Sequence, residues 1–383
     1  MVDLSSNKTE TIHLNDYVVD ESLGKRPCEI SRIDTKILNL KYIWLDKNKK
    51  YREKTRCFYN IYALNYKEYI TNWNFDGSST GQMVDEINTE IVLVPKKIFD
   101  YPFIVDENIN KLVLCETYFY DKNNKLKPTK CNTRYYANEI FNIYKENDCW
   151  FGLEQEYVIC DKLNNSIGFL TQNIPLTQGE YYCSTNNNGY IIMEEHFQLC
   201  QKAKIKIAGI NAEVACGQFE FQIGICKGIE SGDHLIMARY ILEKLCEKYN
   251  FIVNYDPKPM GENWNGSGCH INYSDIETRN EKNGLLNIYT KIEKLKYRHF
   301  EHMKVYGVDN EKRLTGKHET SSFNTCTYGI GDRKASIRIP TETVLKKYGY
   351  FEDRRPAANI DPYLATSMLC KTCCENPILL LVN

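Results

Sequence analysis

The sequence predicts a mixed α and β fold in two parts, a small sheet-rich one followed by a larger one in which strands and helices alternate. Three observations lead there. Between Lys41 and Glu116 the apolar residues fall in short runs rich in β-branched and aromatic types, with no sustained helical period. The polar, proline-closed stretch from Asp121 to Pro128 then reads as a linker. Beyond it, four segments with helical spacing of apolar residues alternate with strand-like runs that each carry ionised residues on one edge.

Taken in order, residues 1–37 are polar and aperiodic, an N-terminal arm. In the first domain, 38–121, Lys41–Asp46 and Arg56–Phe58 read as strands joined by the charged turn Lys47–Lys54. Glu90–Val94, closed by Pro95, and Lys111–Glu116 complete a small sheet. In the second domain, 128–383, helices are predicted over Asn132–Glu146, Glu194–Ala203, Asp233–Tyr249 and Gly284–Tyr306. No internal repeat or low-complexity tract interrupts either part.

Composition narrows the class of ligand. With 49 basic and 50 acidic residues the net charge is −1, which gives no electrostatic reason to bind nucleic acid or an anionic membrane, so small molecules are the expected partners. The 16 cysteines follow no secretory signal, so reduced thiols in a cytoplasmic protein are expected in place of a disulfide framework. The apolar run Pro377–Val382 is too short to span a bilayer.

The chemistry lies in five short motifs. Glu154 and Glu156 are two apart in the apolar run Trp150–Val158, so they share one face of a strand while Phe151, Leu153 and Tyr157 take the other. Glu213 precedes a second run, Gln218–Gly224, in which Glu220 and Gln222 alternate with Phe219, Phe221 and Ile223. Asn263–Ser274 passes from a turn into a strand with His270 and Asn272 on one side. Arg333–Arg338 and Tyr350–Pro356 add cations and Glu352. A lone Glu-x-Glu is ordinarily a solvated strand edge; five such patterns are not, because buried ionised groups cost several kcal/mol each unless paired or metal-bound. Five carboxylates with a single imidazole form a hard-donor set suited to Mg²⁺ or Mn²⁺, and the arginines suit phosphate and carboxylate ligands.

These motifs, with Trp73–Thr80, Ile207–Val214, Asp256–Pro259 and Arg313–Thr320, resemble in order and wording those of the eukaryotic-type (class II) glutamine synthetase family, from about Tyr42 to Leu364. The resemblance implies an α+β fold: a small N-terminal β-grasp domain, then a larger catalytic domain with a curved antiparallel sheet and flanking helices. It implies ATP-dependent ligation of ammonia to the γ-carboxylate of glutamate through γ-glutamyl phosphate, with two or more Mg²⁺ or Mn²⁺ per site. It also implies a homo-oligomer of two stacked pentameric rings with sites between subunits.

Carried over motif by motif, Glu156, Glu213 and Glu220 resemble the ligands of one cation, and Glu154, His270 and Glu352 those of a cation on the ATP phosphates. Arg338 resembles the phosphate-facing arginine, with Arg333 near both ATP and glutamate. Arg313 and Arg354 resemble the residues that hold the glutamate carboxylates, and Asn265 and Gly266 those at its amino-acid end, where small residues let backbone approach the ligand. Asn272, Tyr273, Ser274, Tyr350 and Phe351 resemble the nucleotide-contacting positions, although the aromatics are equally compatible with packing. Asp76 resembles the base that deprotonates ammonium, supplied by a neighbouring subunit, and Glu319 the carboxylate of a flap closing over the intermediate.

Two departures from the family pattern, Val214–Gly217 between metal carboxylates and Ile225 after Gly224, touch backbone stiffness and not ligand chemistry. His299 and His302, three apart on a helical pattern, read as an exposed face in preference to a metal site. Cys370, Cys373 and Cys374 form a zinc half-site without a second pair at usable spacing. Two other functions stay open: a ligase joining glutamate to a larger amine, and a catalytically silent structural homologue. The extended Trp73–Thr80 and Arg313–Thr320 matches favour ammonia, and the filled carboxylate and arginine positions favour activity.

Overall fold

The computed structural model describes residues 35–83, 88–169, 177–185 and 187–375; most of the predicted arm, residues 1–34, lies outside this range. The first sheet comprises β1 (Thr35–Leu45), β2 (Tyr51–Tyr62), β3 (Trp73–Asp76), β4 (Glu90–Asp100), β5 (Ile109–Tyr120) and β6 (Leu126–Pro128), in the order β2-β1-β5-β4-β3 with β6 also on β5. Its centre is the parallel pair β1/β5. Alternation along β1 explains its two faces. Leu38, Leu40, Tyr42 and Trp44 are buried in a small core with Leu93 and Val113, whereas Ile43 turns to the main core with Leu112 and Leu114.

Three predictions here need correction. The charged turn contracts to Asp46–Lys50, because the Asp46 carboxylate accepts from the Asn48 and Lys50 amides at 2.8 and 3.0 Å and closes the turn early. Pro95 does not end its strand: β4 runs on to Asp100 across a bulge between Pro95 and Lys97, where a missing amide is tolerated. Asp121–Pro128 is a hairpin. Asp121 accepts from the Asn123 and Lys125 amides, both at 2.9 Å, and β6 folds back on β5.

The second sheet contains β7 (Trp150–Cys160), β8 (Ile207–Ala212), β9 (Gln218–Lys227), β10 (Ile252–Asn254), β11 (Cys269–Ser274), β12 (Tyr328–Ile330), β13 (Ile337–Ile339) and β14 (Phe351–Asp353). Its order is β12-β13-β14-β11-β7-β9-β8, with β10 on β7, and only β12/β13 is parallel. The sheet curls as a half-barrel flanked by helices α1 (Thr133–Ile143), α2 (Tyr190–Lys202), α3 (Glu230–Lys248), α4 (Gly284–Tyr297), α5 (His299–Met303), α6 (Thr341–Lys346) and α7 (Pro362–Cys374), of which α2 and α3 pack directly on its strands. Helix α3 is buried along almost its whole length. The single helix predicted over Gly284–Tyr306 breaks at Arg298 into α4 and α5. Helix α7 was not predicted, although Asp361 caps it by accepting from the Tyr363 and Leu364 amides and Pro362 occupies its first turn.

The exposed-face reading of His299 and His302 is overturned: both are buried. His302 is held between the Tyr306 hydroxyl (2.8 Å) and Thr372 Oγ1 of α7 (2.9 Å), and His299 Nε2 donates to the Phe323 carbonyl at 2.8 Å. Their helical spacing is real, but α7 and the Phe323 loop cover that face.

An ionic network joins the two sheets. Arg134 of α1 donates to Glu116 of β5 at 2.7 Å and to both oxygens of Asp233 of α3 at 2.7 and 2.8 Å, and the Tyr363 hydroxyl of α7 also donates to Asp233 at 2.8 Å. Replacing Arg134 with Met should leave buried Asp233 without its cation and Glu116 with Lys96 alone, at 3.2 Å, and destabilise the chain by about 3 kcal/mol. In a thermal or urea melt the midpoint should fall clearly; an unchanged midpoint would show that this network does not join the sheets.

Candidate active site

Antiparallel register sets the polar positions of neighbouring strands side by side on the concave face. On β7, Glu154 lies opposite His270 of β11 and Gln222 of β9, and Glu156 lies opposite Glu220. On β14, Glu352 lies opposite Asn272 of β11 and Arg338 of β13. The residues between point the other way. Gln155, for instance, is buried behind the sheet, where Arg239 Nε donates to its Oε1 at 2.8 Å.

The face encloses a cavity of about 250 Å³ lined by Glu154, Glu156, Glu213, Glu220, His270, Asn265, Gly266, Arg313, Glu319, Arg333, Arg338 and Arg354. A second cavity of about 330 Å³ shares Glu154 and Gln222 with the first and is lined by Trp150, Gly152, Ile225, Asn272, Tyr273, Ser274 and Tyr350. The site is thus an ionised chamber continuous with a more apolar one.

Ligand atoms of Glu154, His270 and Glu352 lie within 4.8 Å of one another. His270 Nδ1 is 3.3 Å from Glu154 and 3.4 Å from Glu352, while Arg313 Nη2 donates to its Nε2 at 2.9 Å. Since guanidinium can only donate, Nε2 is the acceptor and the ring proton sits on Nδ1, facing the two carboxylates. Glu352 is also bound by Arg338 Nε and Arg354 Nη1, both at 2.6 Å. Arg313 is pressed down to about 10, mainly by burial, with Glu156 opposing the shift and the neighbouring Arg354 charge adding to it.

Three carboxylates behave otherwise. Burial, opposed by the Arg313 charge, leaves the Glu156 carboxyl above its ordinary range. Glu213 is pushed up to about 8, first by burial and then by Glu156. Glu220 is raised well above the carboxylate range by burial and then by Glu154 and Glu213. Clustered like charges out of water hold protons unless a cation replaces them. Oxygen donors with one imidazole, crowded enough to raise the carboxyls of Glu156, Glu213 and Glu220, fit a hard divalent cation such as Mg²⁺ or Mn²⁺.

Glycines serve the arginine more than the ligand. A Cβ at Gly266 would meet the Pro257 carbonyl at 2.5 Å and Arg313 Cγ at 2.8 Å, and one at Gly268 would meet Arg313 Nη2 at 2.5 Å. Their small size gives Arg313 a channel to His270. At the rim, Glu319 is tied to Arg333 Nη2 at 2.6 Å on a loop whose ends pair at Thr315 and Ser322. His318 and Glu319 are consecutive left-handed residues, φ 51° and 63°, a strain of about 1–3 kcal/mol each that marks a loop held in a defined shape.

Two predicted residues are elsewhere. Asp76 ends β3 exposed, its carboxylate accepting from the Ser78 amide at 2.9 Å, and lines neither cavity of its own chain. Phe351 is fully buried against Tyr273, with ring centroids 5.4 Å apart, and lines neither cavity. Gln178 and Tyr182 were missed. Gln178 Oε1 accepts from the Asn265 amide at 2.5 Å and Tyr182 lines the ionised chamber, but both lie in a stretch without strand or helix pattern that could single them out.

A curled antiparallel sheet whose concave face gathers carboxylates, one imidazole and arginines beside an apolar chamber defines a cation- and phosphate-handling enzyme centre. Comparison with known proteins makes this specific. Residues 130–291 match the family described as glutamine synthetase, catalytic domain. A putative glutamine synthetase of Acanthamoeba polyphaga mimivirus is 47% identical over 343 residues, covering 88% of this chain and 94% of that protein. Glutamine synthetases of Neurospora crassa and Homo sapiens are each 44% identical, covering 87% and 88% of this chain and 90% and 89% of theirs. The chain belongs to the glutamine synthetase family.

The raised carboxyls make a signed prediction. Glu213, at about 8 in the folded chain against an ordinary 4.5, contributes stability that is complete below 4.5 and lost as pH rises through 8. Cation-free protein should therefore melt lower at pH 9 than at pH 6, and Mn²⁺ should raise the midpoint more at pH 9, where no proton need be displaced. Glu213→Gln should flatten the cation-free trend; scanning fluorimetry with and without chelator checks both.

Proposed function

We propose that this chain is an active glutamine synthetase that couples ATP cleavage to ligation of ammonia with L-glutamate through γ-glutamyl phosphate. The observation that carries the reading is the cross-strand group Glu154, His270 and Glu352 within 4.8 Å, flanked by Arg338 and Arg354. A carboxylate attacking a polyanionic phosphate needs that charge neutralised, and here arginines and cation-ready carboxylates face one chamber. Divalent cations, when bound, would screen the phosphates. Glu154, His270 and Glu352 would hold one, and Glu156, Glu213 and Glu220 another. To serve as a ligand through Nδ1, His270 must carry its proton on Nε2, so Arg313 must release that atom and can turn to a glutamate carboxylate.

Arg354 would hold glutamate with Arg313, and Asn265 and Gly266 would meet its amino-acid end. Arg333 and Arg338 would face the transferring phosphoryl group. The apolar chamber, with Asn272, Tyr273, Ser274 and Tyr350, suits the adenosine end of ATP. Glu319, latched to Arg333, would close the chamber and keep water from the acyl phosphate. Asp76, exposed at the end of β3, would act as base in the site of an adjacent subunit of a homo-oligomer of two stacked pentameric rings. Among the described residues no helix is long and apolar enough to cross a membrane, and a cytoplasmic location is part of this proposal.

The direct test is phosphate release that requires ATP, glutamate and ammonium together, with glutamine formed in equal amount. Release without glutamine, or preference for a larger amine, would overturn the reading. Co-assembling inactive Asp76→Asn with inactive Glu352→Ala chains should restore part of the activity, because some interfaces then combine two intact halves. Glu319→Ala should leave phosphate release in excess over glutamine, the excess growing as ammonium is lowered; a slow but stoichiometric variant would mean that Glu319 does not guard the intermediate.

A further inference from the structure

The cysteine half-site at the chain's end finds a partner that spacing could not show. Cys370 and Cys374, four apart, share one face of α7, while Cys373 turns away and its carbonyl accepts from Lys291 Nζ at 3.1 Å and Lys294 Nζ at 3.2 Å. Cys149, just before β7, approaches that face. Its Sγ is 3.5 Å from Cys370 Sγ and 3.5 Å from Cys374 Sγ, and all three sulfurs lie within 4.8 Å of one another. The Tyr273 hydroxyl oxygen of β11 lies 3.4 Å from Cys149 Sγ and 3.5 Å from Cys374 Sγ. Cys149, Cys370 and Tyr273 are buried and Cys374 is partly exposed, which leaves a route of entry.

We propose that Cys149, Cys370 and Cys374, with the Tyr273 oxygen as fourth donor, form a structural site for a thiophilic d¹⁰ cation, Zn²⁺ or Cu⁺, separate from the carboxylate centre. Tetrahedral zinc with Zn–S bonds of about 2.3 Å requires donor separations of about 3.8 Å, close to the four separations of 3.4–3.5 Å here. The surroundings support the donors. The Tyr273 hydroxyl donates to Asp275 Oδ2 at 2.7 Å, so its oxygen lone pairs face the sulfurs, and Asp275 is held by buried Lys291 at 2.8 Å. Lys291 also supplies positive charge beside a site that would carry three thiolates. Soft sulfur ligands exclude the Mg²⁺ or Mn²⁺ suited to the carboxylates. Three thiols from segments 221 and 225 residues apart in sequence would then be joined by one ion, tying α7 to β7 and β11.

The test uses full-length protein, treated with EDTA, reloaded with Zn²⁺ or Cu⁺ alone under reducing conditions, and desalted in excess Mg²⁺ so that the carboxylate centre is filled. Elemental analysis should find about one equivalent of thiophilic metal retained per chain, and which ion is retained identifies it. Cys374→Ser should lose it, whereas Cys373→Ser and Glu154→Ala should keep it. Cd²⁺ loading of the unaltered protein should give a sulfur-to-metal charge-transfer band, a readout independent of how the variants fold. No retained metal, equal retention by Cys374→Ser, or a Cys149–Cys370 disulfide in the non-reduced peptide map would overturn the proposal.

Discussion

The structure depends on one constraint: ionised groups placed inside a sheet must be answered on both of its faces. The run Glu352-Asp353-Arg354-Arg355 shows how. Strand alternation sends Glu352 and Arg354 to the concave side, where they pair at 2.6 Å, and Asp353 and Arg355 to the convex side, where they also pair at 2.6 Å. The convex pair is completed by the Tyr306 hydroxyl on Asp353 at 2.8 Å and by His299 beside Arg355 at 3.1 Å. It leaves no valence open and is structural. The concave pair is one side of a chamber where Glu156, Glu213 and Glu220 have no comparable cation each, and their carboxyls are raised instead. The same local sequence thus builds a closed network behind the sheet and an unsatisfied one in front, and the difference between them is what makes the front a site.

Much of this was legible because period two is a strong signal. Glu154/Glu156, Glu220/Gln222 and His270/Asn272 each alternate with large apolar residues, and the structure puts each pair on the concave face. What failed depended on contacts between distant segments. The face carrying His299 and His302 is apolar in neither direction, so whether it is covered turns on α7, which begins some sixty residues later with a capping Asp-Pro that was not read as a start. Gly266 and Gly268 signal that something comes close; that it is Arg313, far along the chain, and not only a ligand, is tertiary information. The hairpin at Asp121–Pro128 failed for a local reason: a charged strand of three residues has no apolar alternation to reveal it.

The Arg313–His270 bond is the point where these strands of argument meet. A buried arginine whose charge is penalised by desolvation is directed onto an imidazole, with the Arg354 carbonyl at 3.1 Å and the Arg355 carbonyl at 3.4 Å as its further acceptors. Among the described residues none of these acceptors is a carboxylate, an arrangement better suited to receiving an incoming carboxylate than to stabilising the chain alone. Because the imidazole has one proton to place, its choice of partner on Nδ1 sets what Nε2 can accept. A cation held through Nδ1 by His270 with Glu154 and Glu352 would put the ring proton on Nε2 and end the Arg313 bond, so the cation and Arg313 compete for His270 through one proton position.

Strand β11 is the element that can least afford to move. Within six residues it presents His270 and Asn272 to the chamber and buries Cys269, Ile271 and Tyr273 behind it. Asn272 donates to Glu154 at 2.7 Å, and the next residue, Tyr273, anchors through Asp275 to Lys291 and stands against the Cys149, Cys370 and Cys374 sulfurs. A shift of the strand by one residue would exchange the two sets and place the imidazole in the core. The polar anchors behind the sheet therefore do more than fill space: they fix the register on which the spacing of the carboxylates in front depends.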